Sequence, residues 1–366
     1  MKFTFWQNII SIHQSAFIKV LAEEHHVILV AEQSIEIDRK SQGWNVPEMD
    51  KVKIVTNPDR HEISCLLVND TIHVFSGINV YPMVKYAFKS AVKKKLKVGV
   101  NLEPFRPDGL KGFFRTFKYI FLSIKYGKSI DFLLATGELA CKEYQNAGFS
   151  AEKIFNWAYY IESFNNSESK PALAIAALPN ILFVGSLDKR KNIIQLVNTC
   201  IKHSDHFNEL IIIGDGPLKK DVLLRISNHP NIRYLGNLSN AEVRSMMTKS
   251  DLLVLPSLFD GWGAVVNEAL HSGMQVIASE NCGASVLLDG DIWGEKFYFK
   301  GKNDLETVLL RWLGKGPVST ERRQEIKTWS QNHISGEVAA SYFNKIMAFI
   351  YGESTTKPIA PWKENS

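Results

Sequence analysis

Asp251-Leu-Leu-Val-Leu-Pro-Ser-Leu-Phe-Asp260-Gly-Trp-Gly-Ala-Val-Val-Asn-Glu268-Ala-Leu-His-Ser-Gly-Met-Gln-Val-Ile-Ala-Ser279 reads as a buried strand, a glycine-bracketed loop, a helix carrying a carboxylate, and a second buried strand. In a parallel α/β sheet the loop after such a strand opens at the carboxyl edge, where ligands bind, and the helix that follows aims its amino-terminal dipole and free N–H groups at anions. Gly261 and Gly263 let backbone amides approach a phosphate or a sugar closely. Asp260 and Glu268 are eight positions apart, so one sits on the loop and the other on the turn of the helix that faces the same pocket. One carboxylate suits a sugar, the other a ribose.

The same alternation continues outward from this stretch. Apolar runs at 180–184, 210–213, 232–235, 252–255, 275–278 and 296–299 predict strands, with helical patterns near 192–203, 218–228, 240–249, 264–272, 283–288, 303–314 and 319–332. The first half offers strand candidates at 2–6, 26–31, 53–55, 64–68, 72–75, 96–101 and 132–135, and helical spacing at 15–24, 80–93, 110–125 and 137–147. Such βα repetition predicts mostly parallel sheets with helices on both faces. With 366 residues there is room for two domains, each with its own core. Between Glu162 and Pro179 the pattern stops, turning polar and then small and proline-bounded, as a linker would. The predicted organisation is a first α/β domain over 1–165, a linker over 166–178, a second α/β domain over 179–335, and a last helix with an irregular tail over 336–366.

Hydrophobic residues at 45% and charged ones at 22% are globular values. Cys65, Cys141, Cys200 and Cys282 lie far apart and form no CxxC pair, so neither a zinc site nor a disulfide framework is expected, and a reducing, cytoplasmic compartment fits. The start lacks a basic segment followed by an apolar run, and no window reaches the ~18 apolar residues of a membrane span. Asn-X-Ser/Thr triplets at Asn69, Asn165 and Asn237 are therefore read as chance matches.

The net charge of +5 is spread unevenly, with most of the interest between Lys85 and Lys128. Cations at 111, 115, 118, 125 and 128 recur near helical spacing among Phe113, Phe114, Phe117, Ile120, Phe121 and Ile124. That is the pattern of a basic amphipathic helix suited to anionic lipid headgroups. It fits equally an ordinary domain helix with a solvated basic face and an aromatic core face. No basic patch coincides with a nucleic-acid-binding motif, so nucleic acid is not an expected partner.

The second domain presents further loops at strand carboxyl ends. Gly185-Ser186-Leu-Asp-Lys-Arg190-Lys191-Asn192 supplies a glycine turn and flexible cations where a pyrophosphate would sit, and such charge-assisted contacts are the strong ones. A solvated basic turn is the competing reading. Ile211-Ile-Ile-Gly214-Asp-Gly216-Pro217 opens a helix with glycines that permit close approach, or is a simple tight turn. Arg233-Tyr234-Leu235-Gly236 ends the next strand with backbone groups placed to read a flat base edge.

In order and spacing these loops resemble the retaining glycosyltransferases of the family 4 type, glycosyl transferases group 1. The resemblance is specific over about 180–290 and diffuse before it. It implies the GT-B architecture, two Rossmann-like domains facing across a cleft with the C-terminal helix returning to the N-terminal domain. It also implies that Lys191, with Arg190, neutralises a donor diphosphate in a loop that includes Gly185 and Ser186. Glu268 would bond the ribose, Asp260 with the backbone of Gly261, Trp262 and Gly263 would hold the transferred sugar, and Tyr234 and Leu235 would meet the base. Gly214 and Gly216 would complete the donor site. No metal and no cofactor are implied, the nucleoside diphosphate sugar being a co-substrate. Two residues depart from the family pattern, which has Arg at the position of Ser186 and Glu at that of Asp260. The loop Asn8-Ile-Ile-Ser-Ile-His13-Gln14-Ser15 lacks the glycines common there, so His13 and Gln14, with Glu103 at the end of another strand, are the acceptor-side candidates.

The expected activity is transfer of a sugar, with retention, to a saccharide or polyprenyl-linked glycan acceptor in cell-surface polysaccharide biosynthesis, in the cytoplasm or peripherally at the inner membrane face. A nucleotide-sugar 2-epimerase of the same fold, or a non-catalytic sugar-nucleotide-binding partner, fits the same motifs.

Overall fold

The computed structural model describes residues 1–34, 48–105, 109–162, 177–288 and 292–364, with the side chain of Lys111 left aside. The predicted linker lies outside these apart from its last two residues. The described residues divide into a first unit, running to Glu162 and resuming at His333, and a second unit from 177 to Asn332.

In the first unit β1 (Lys2–Ile9), β2 (His26–Gln33), β3 (Lys53–Thr56), β4 (Ile72–Ser76), β5 (Lys97–Leu102), β6 (Phe132–Thr136) and β7 (Ile154–Trp157) form one parallel sheet in the order β3-β2-β1-β4-β5-β6-β7. Its helices are α1 (Ile12–Glu24), α2 (Arg60–Leu66), α3 (Pro82–Lys93), α4 (Gly109–Tyr126) and α5 (Gly137–Asn146). Central strands such as β6 are buried along their whole length, as expected when helices cover both faces of a parallel sheet.

In the second unit β8 (Asn180–Val184), β9 (Glu209–Ile213), β10 (Ile232–Gly236), β11 (Leu252–Leu255), β12 (Gln275–Ser279) and β13 (Gly294–Phe297) are again parallel, in the order β10-β9-β8-β11-β12-β13. Its helices are α6 (Ile193–Lys202), α7 (Lys219–Ile226), α8 (Asn240–Lys249), α9 (Val265–His271), α10 (Leu305–Leu313) and α11 (Thr320–Ile334). The chain winds from β8 to β10 on one side and then returns beside β8 with β11. That reversal is the switch point at which ligands bind in open α/β sheets, because the loops after β8 and β11 leave in opposite directions.

The last helix, α12 (Gly336–Ile350), belongs to the first unit. The Ser335 hydroxyl caps it by accepting from Val338 N–H at 3.3 Å. Phe343 is fully buried against Phe3, Phe5, Phe17 and Phe132. Gly336 lies so close to α1 that an added Cβ would stand 2.7 Å from the Ala16 carbonyl oxygen.

Four local expectations change. The predicted strand at 64–68 is the end of α2, started by a capping box in which Asp59 accepts from Glu62 N–H and Glu62 accepts from Asp59 N–H. β7, an edge strand of four residues, was not anticipated, and the last strand of the second sheet begins two residues earlier than predicted. The tail, expected to be irregular, ends in a docked 3-10 turn over Pro361–Lys363: Ala360, Pro361 and Trp362 are buried, and Lys363 pairs with Glu138 at 2.5 Å.

Candidate active site at the carboxyl edge of the second sheet

The loops after β8, β9 and β10 are tied together through backbone groups. Gly185 N–H donates to Ile213 O, Gly214 N–H to Gly236 O, and Leu187 N–H to Asp215 O. Gly214 has φ +129°, and an added Cβ would stand 2.0 Å from the Gly185 carbonyl oxygen, so only glycine lets these two turns touch.

Within the cationic loop Asp188 is the organising residue. Its carboxylate accepts from Lys191 N–H at 2.8 Å and from the Ser186 hydroxyl at 2.8 Å. Partial burial raises the Asp188 pKa, but those two hydrogen bonds and the charges of Arg190 and Lys191 outweigh it, and the group stays below the usual carboxylate range. Ser186, standing where the family pattern has Arg, thus spends its hydroxyl on shaping the loop. The only trace of this arrangement in the sequence is the Asp188–Lys191 spacing of three, a turn signal.

Lys191 and Asp260, 69 positions apart, meet across the switch point with Nζ to Oδ2 at 2.5 Å, each side chain 12% exposed. Arg190 lies 3.9 Å from the same carboxylate oxygen and 3.8 Å from Asp188, and it donates to the Phe259 carbonyl at 3.4 Å. Leu258 N–H donates to Arg190 O at 2.8 Å, joining the two loops through the backbone as well. The other acid at the head of the same stretch, Asp251, has a structural role: its carboxylate accepts from Arg323 at 2.7 Å and from the N–H groups of Asn180 and Val318.

The Asp260 loop is clamped from the far side by the segment after β12. Asp260 N–H donates to Asn281 O, Gly283 N–H donates to Asp260 O, and the Cys282 thiol lies 2.9 Å from the Trp262 carbonyl. Burial, with Asp260 nearby, pushes the Cys282 thiol up to about 12, so it stays a neutral donor. Gly263, at φ +91°, would place a Cβ 2.6 Å from the Cys282 sulfur. Sequence reading missed Cys282 and Gly283 because their partners lie some twenty residues away on a neighbouring loop. Trp262, expected to contribute its backbone, is 1% exposed as a whole: its indole donates to Asn267 at 2.7 Å and its carbonyl accepts from Ala284 N–H.

Glu268 projects from α9 with part of its surface open. Surrounding protein atoms push its carboxyl up to about 7, burial being the larger cause and the Arg244 charge a smaller opposing one. The folded carboxyl holds its proton to higher pH than an unfolded one near 4.5, so its contribution to stability is complete below 4.5 and lost as pH rises through 7. Glu268→Gln should therefore unfold at about 2–3 kcal/mol higher free energy than the wild type at pH 8 and match it near pH 4. Urea titrations at the two pH values read this directly.

Tyr234 and Leu235 are half-exposed at the end of β10, and the Lys219 ammonium lies 5.5 Å from the Tyr234 ring centre. The remaining candidates lie in the first unit, at the carboxyl ends of β1 and β5. His13 stacks on Tyr159 with ring centres 5.2 Å apart, and Gln14 accepts from Gln7 at 2.6 Å. Glu103 has an exposed side chain, while its carbonyl accepts from the Tyr144 hydroxyl at 2.6 Å.

Two Rossmann-like parallel sheets and a last helix that returns to the first unit define the GT-B class of glycosyltransferase folds. Residues 166–328, which hold every loop of the candidate donor site, match the model of the family Glycosyl transferases group 1. The structure of Anabaena Alr3699/HepE in complex with UDP superposes with a TM-score of 0.70 at 12% identity, covering 95% of this chain and 100% of that one. A second similar structure is WaaG, a glycosyltransferase involved in lipopolysaccharide biosynthesis, with a TM-score of 0.58 at 15% identity over 93% and 98% of the two chains. In sequence, an uncharacterized 41.2 kDa protein in the cps region of Klebsiella pneumoniae is 28% identical over 310 residues, 78% of this chain and 82% of that one.

Proposed function

We propose that the protein is a retaining glycosyltransferase of the family 4 type, moving a sugar from a nucleoside diphosphate sugar to a hydroxyl of a saccharide or lipid-linked glycan in cell-surface polysaccharide assembly. The observation that carries this reading is the meeting of Lys191 and Arg190 with Asp260 at the β8/β11 switch point, beside the glycine turns after β9 and β10. Support for the donor class comes from the solved neighbour with UDP bound, and for the pathway class from the relative in a cps region.

In this reading the anomeric carbon–oxygen bond breaks and the diphosphate leaves with the bonding electrons. Lys191 and Arg190 turn from Asp260 and Asp188 to the phosphate oxygens, gaining most as negative charge develops there. Asp260, released from Lys191, accepts from sugar hydroxyls, and Glu268 accepts from the ribose. The acceptor oxygen forms the new bond on the face the diphosphate vacates, and its proton passes to a leaving phosphate oxygen. Gln14, Glu103 and His13 are assigned to the acceptor side. The two cations take the charge-balancing role, and no metal is invoked. The shorter Asp260, standing where the family pattern has Glu, gives up about one carbon–carbon bond of reach, and its engagement with Lys191 fits a carboxylate drawn toward the cations. We place the enzyme in the cytoplasm, working peripherally at the inner membrane face.

A thermal-shift screen of nucleoside diphosphates and their sugars tests the donor assignment, since a ligand that binds the folded state at a hundredfold its Kd adds about 2.7 kcal/mol. One nucleoside diphosphate family should raise the melting temperature, and Lys191→Met should erase the rise. Donor turnover that needs no acceptor would favour the epimerase. No shift with any nucleotide would overturn the reading.

A further inference from the structure

The phenylalanines of α4 do not face the core. Leu110, Phe113, Phe114, Phe117, Phe121 and Ile124 are between 55% and 81% exposed. At 3.6 residues per turn they fall within one arc of about 100°. The opposite side of the helix anchors it to the unit: Tyr119 stacks on Phe105 with ring centres 4.6 Å apart, Leu122 is buried, and Tyr126 meets Phe88 edge-on. The apolar stripe is therefore presented outward by a helix held in place from behind. The core face of the helix is formed by Tyr119, Leu122 and Tyr126 and not by the phenylalanines.

The charge beside the stripe is of one sign. Lys118 and Lys125 are exposed along its flank, with Arg115 exposed further round the helix, and Lys125 lies 5.8 Å from the Phe121 ring centre. From Gly109 to Ile130 the sequence has no Asp or Glu, and Lys85–Lys128 holds twelve Lys and Arg against Glu103 and Asp108, or +10 in a chain whose net charge is +5. The rest of the molecule is thus net acidic. A second copy of the chain would bring like charge against like on this face, whereas an anionic bilayer supplies both the acyl region for the phenylalanines and phosphates for the cations. No helix among the described residues is long and apolar enough to cross a membrane, so the contact would be interfacial.

We propose that α4 is a membrane-docking helix that lies in the headgroup region of an anionic bilayer, with Leu110, Phe113, Phe114, Phe117, Phe121 and Ile124 inserted and Arg115, Lys118 and Lys125 on lipid phosphates. The inference rests on, and gives a partner to, the lipid-linked acceptor reading. The same unit carries the acceptor-side residues, so docking would bring a lipid-linked glycan to the end of β5, where Phe105 joins α4 to the Glu103 loop.

Sedimentation with extruded vesicles tests it, using phosphatidylcholine alone and phosphatidylcholine with phosphatidylglycerol. The wild type should pellet with the anionic vesicles and lose binding as salt rises. Phe113→Ser/Phe117→Ser/Phe121→Ser should weaken partitioning about tenfold or more. Arg115→Glu/Lys118→Glu should weaken it on anionic vesicles only, by about fivefold or more per charge. All these residues are exposed, so unchanged circular dichroism and melting temperature would show that the variants fold. A wild type that stays in the supernatant with anionic vesicles, or variants that bind like the wild type, would overturn the proposal. So would a dimer on gel filtration that the triple serine variant abolishes while vesicles have no effect. Vesicle binding is read without any donor, so a protein that docks but transfers no sugar refutes only the transferase reading. One that binds nucleotide but ignores vesicles refutes only the docking.

Discussion

Lys191→Met is expected to lower sugar transfer by about a hundred- to a thousandfold, the range seen when one preorganised charge-stabilising donor is removed from an active site. The same change leaves the Asp260 carboxylate, 12% exposed, facing Arg190 at 3.9 Å as its one cation among the described residues. Removing one partner of a pair this enclosed should cost about 2–4 kcal/mol of stability. The two losses separate in the double variant Lys191→Met/Asp260→Asn. Neutralising the stranded acid should restore most of the stability and none of the activity, because a purely structural ion pair can be replaced as a pair whereas a cation serving a leaving diphosphate cannot. Denaturation curves and single-turnover rates on the two variants decide between these roles. Recovery of both stability and activity in the double variant would mean that the pair only braces the loops.

Gly214→Ala is expected to produce the largest single structural loss in the second unit. The Cβ would stand 2.0 Å from the Gly185 carbonyl oxygen, and the position has φ +129°, a conformation open in practice to glycine alone. Neither contact is with a flexible side chain, so the backbones of both turns must part, breaking the Gly214–Gly236 and Gly185–Ile213 hydrogen bonds. We expect about 3 kcal/mol or more of destabilisation and loss of any nucleotide-induced thermal shift, measured on the same preparation. A variant of wild-type stability would show that the turns can slide apart without cost, and the close-approach argument would fall.

Much of the fold was legible because the signals are local. Runs such as Ile211-Ile-Ile and Leu252-Leu-Val-Leu are long enough and apolar enough to be strands buried on both faces, and the glycine turns mark their carboxyl ends. Where local signals competed, the reading failed. The capping box at Asp59 outweighed the strand-like run that ends in Leu-Leu-Val, and β7 is short and at an edge, with too few residues to show a period.

By itself the sequence determined the class of the protein: alternating apolar runs and helical periods, with loops of the right chemistry in the right order, since these depend on residues near one another in the chain. Only the tertiary structure decided which groups act together. Lys191 and Asp260 meet because β11 returns to pair with β8, Cys282 clamps the Asp260 loop because β12 lies next to β11, and the outward aim of the α4 phenylalanines follows from which side of that helix Phe105 and Phe88 hold. Helical spacing places side chains on a common face, but which face is covered depends on neighbours far away in the chain.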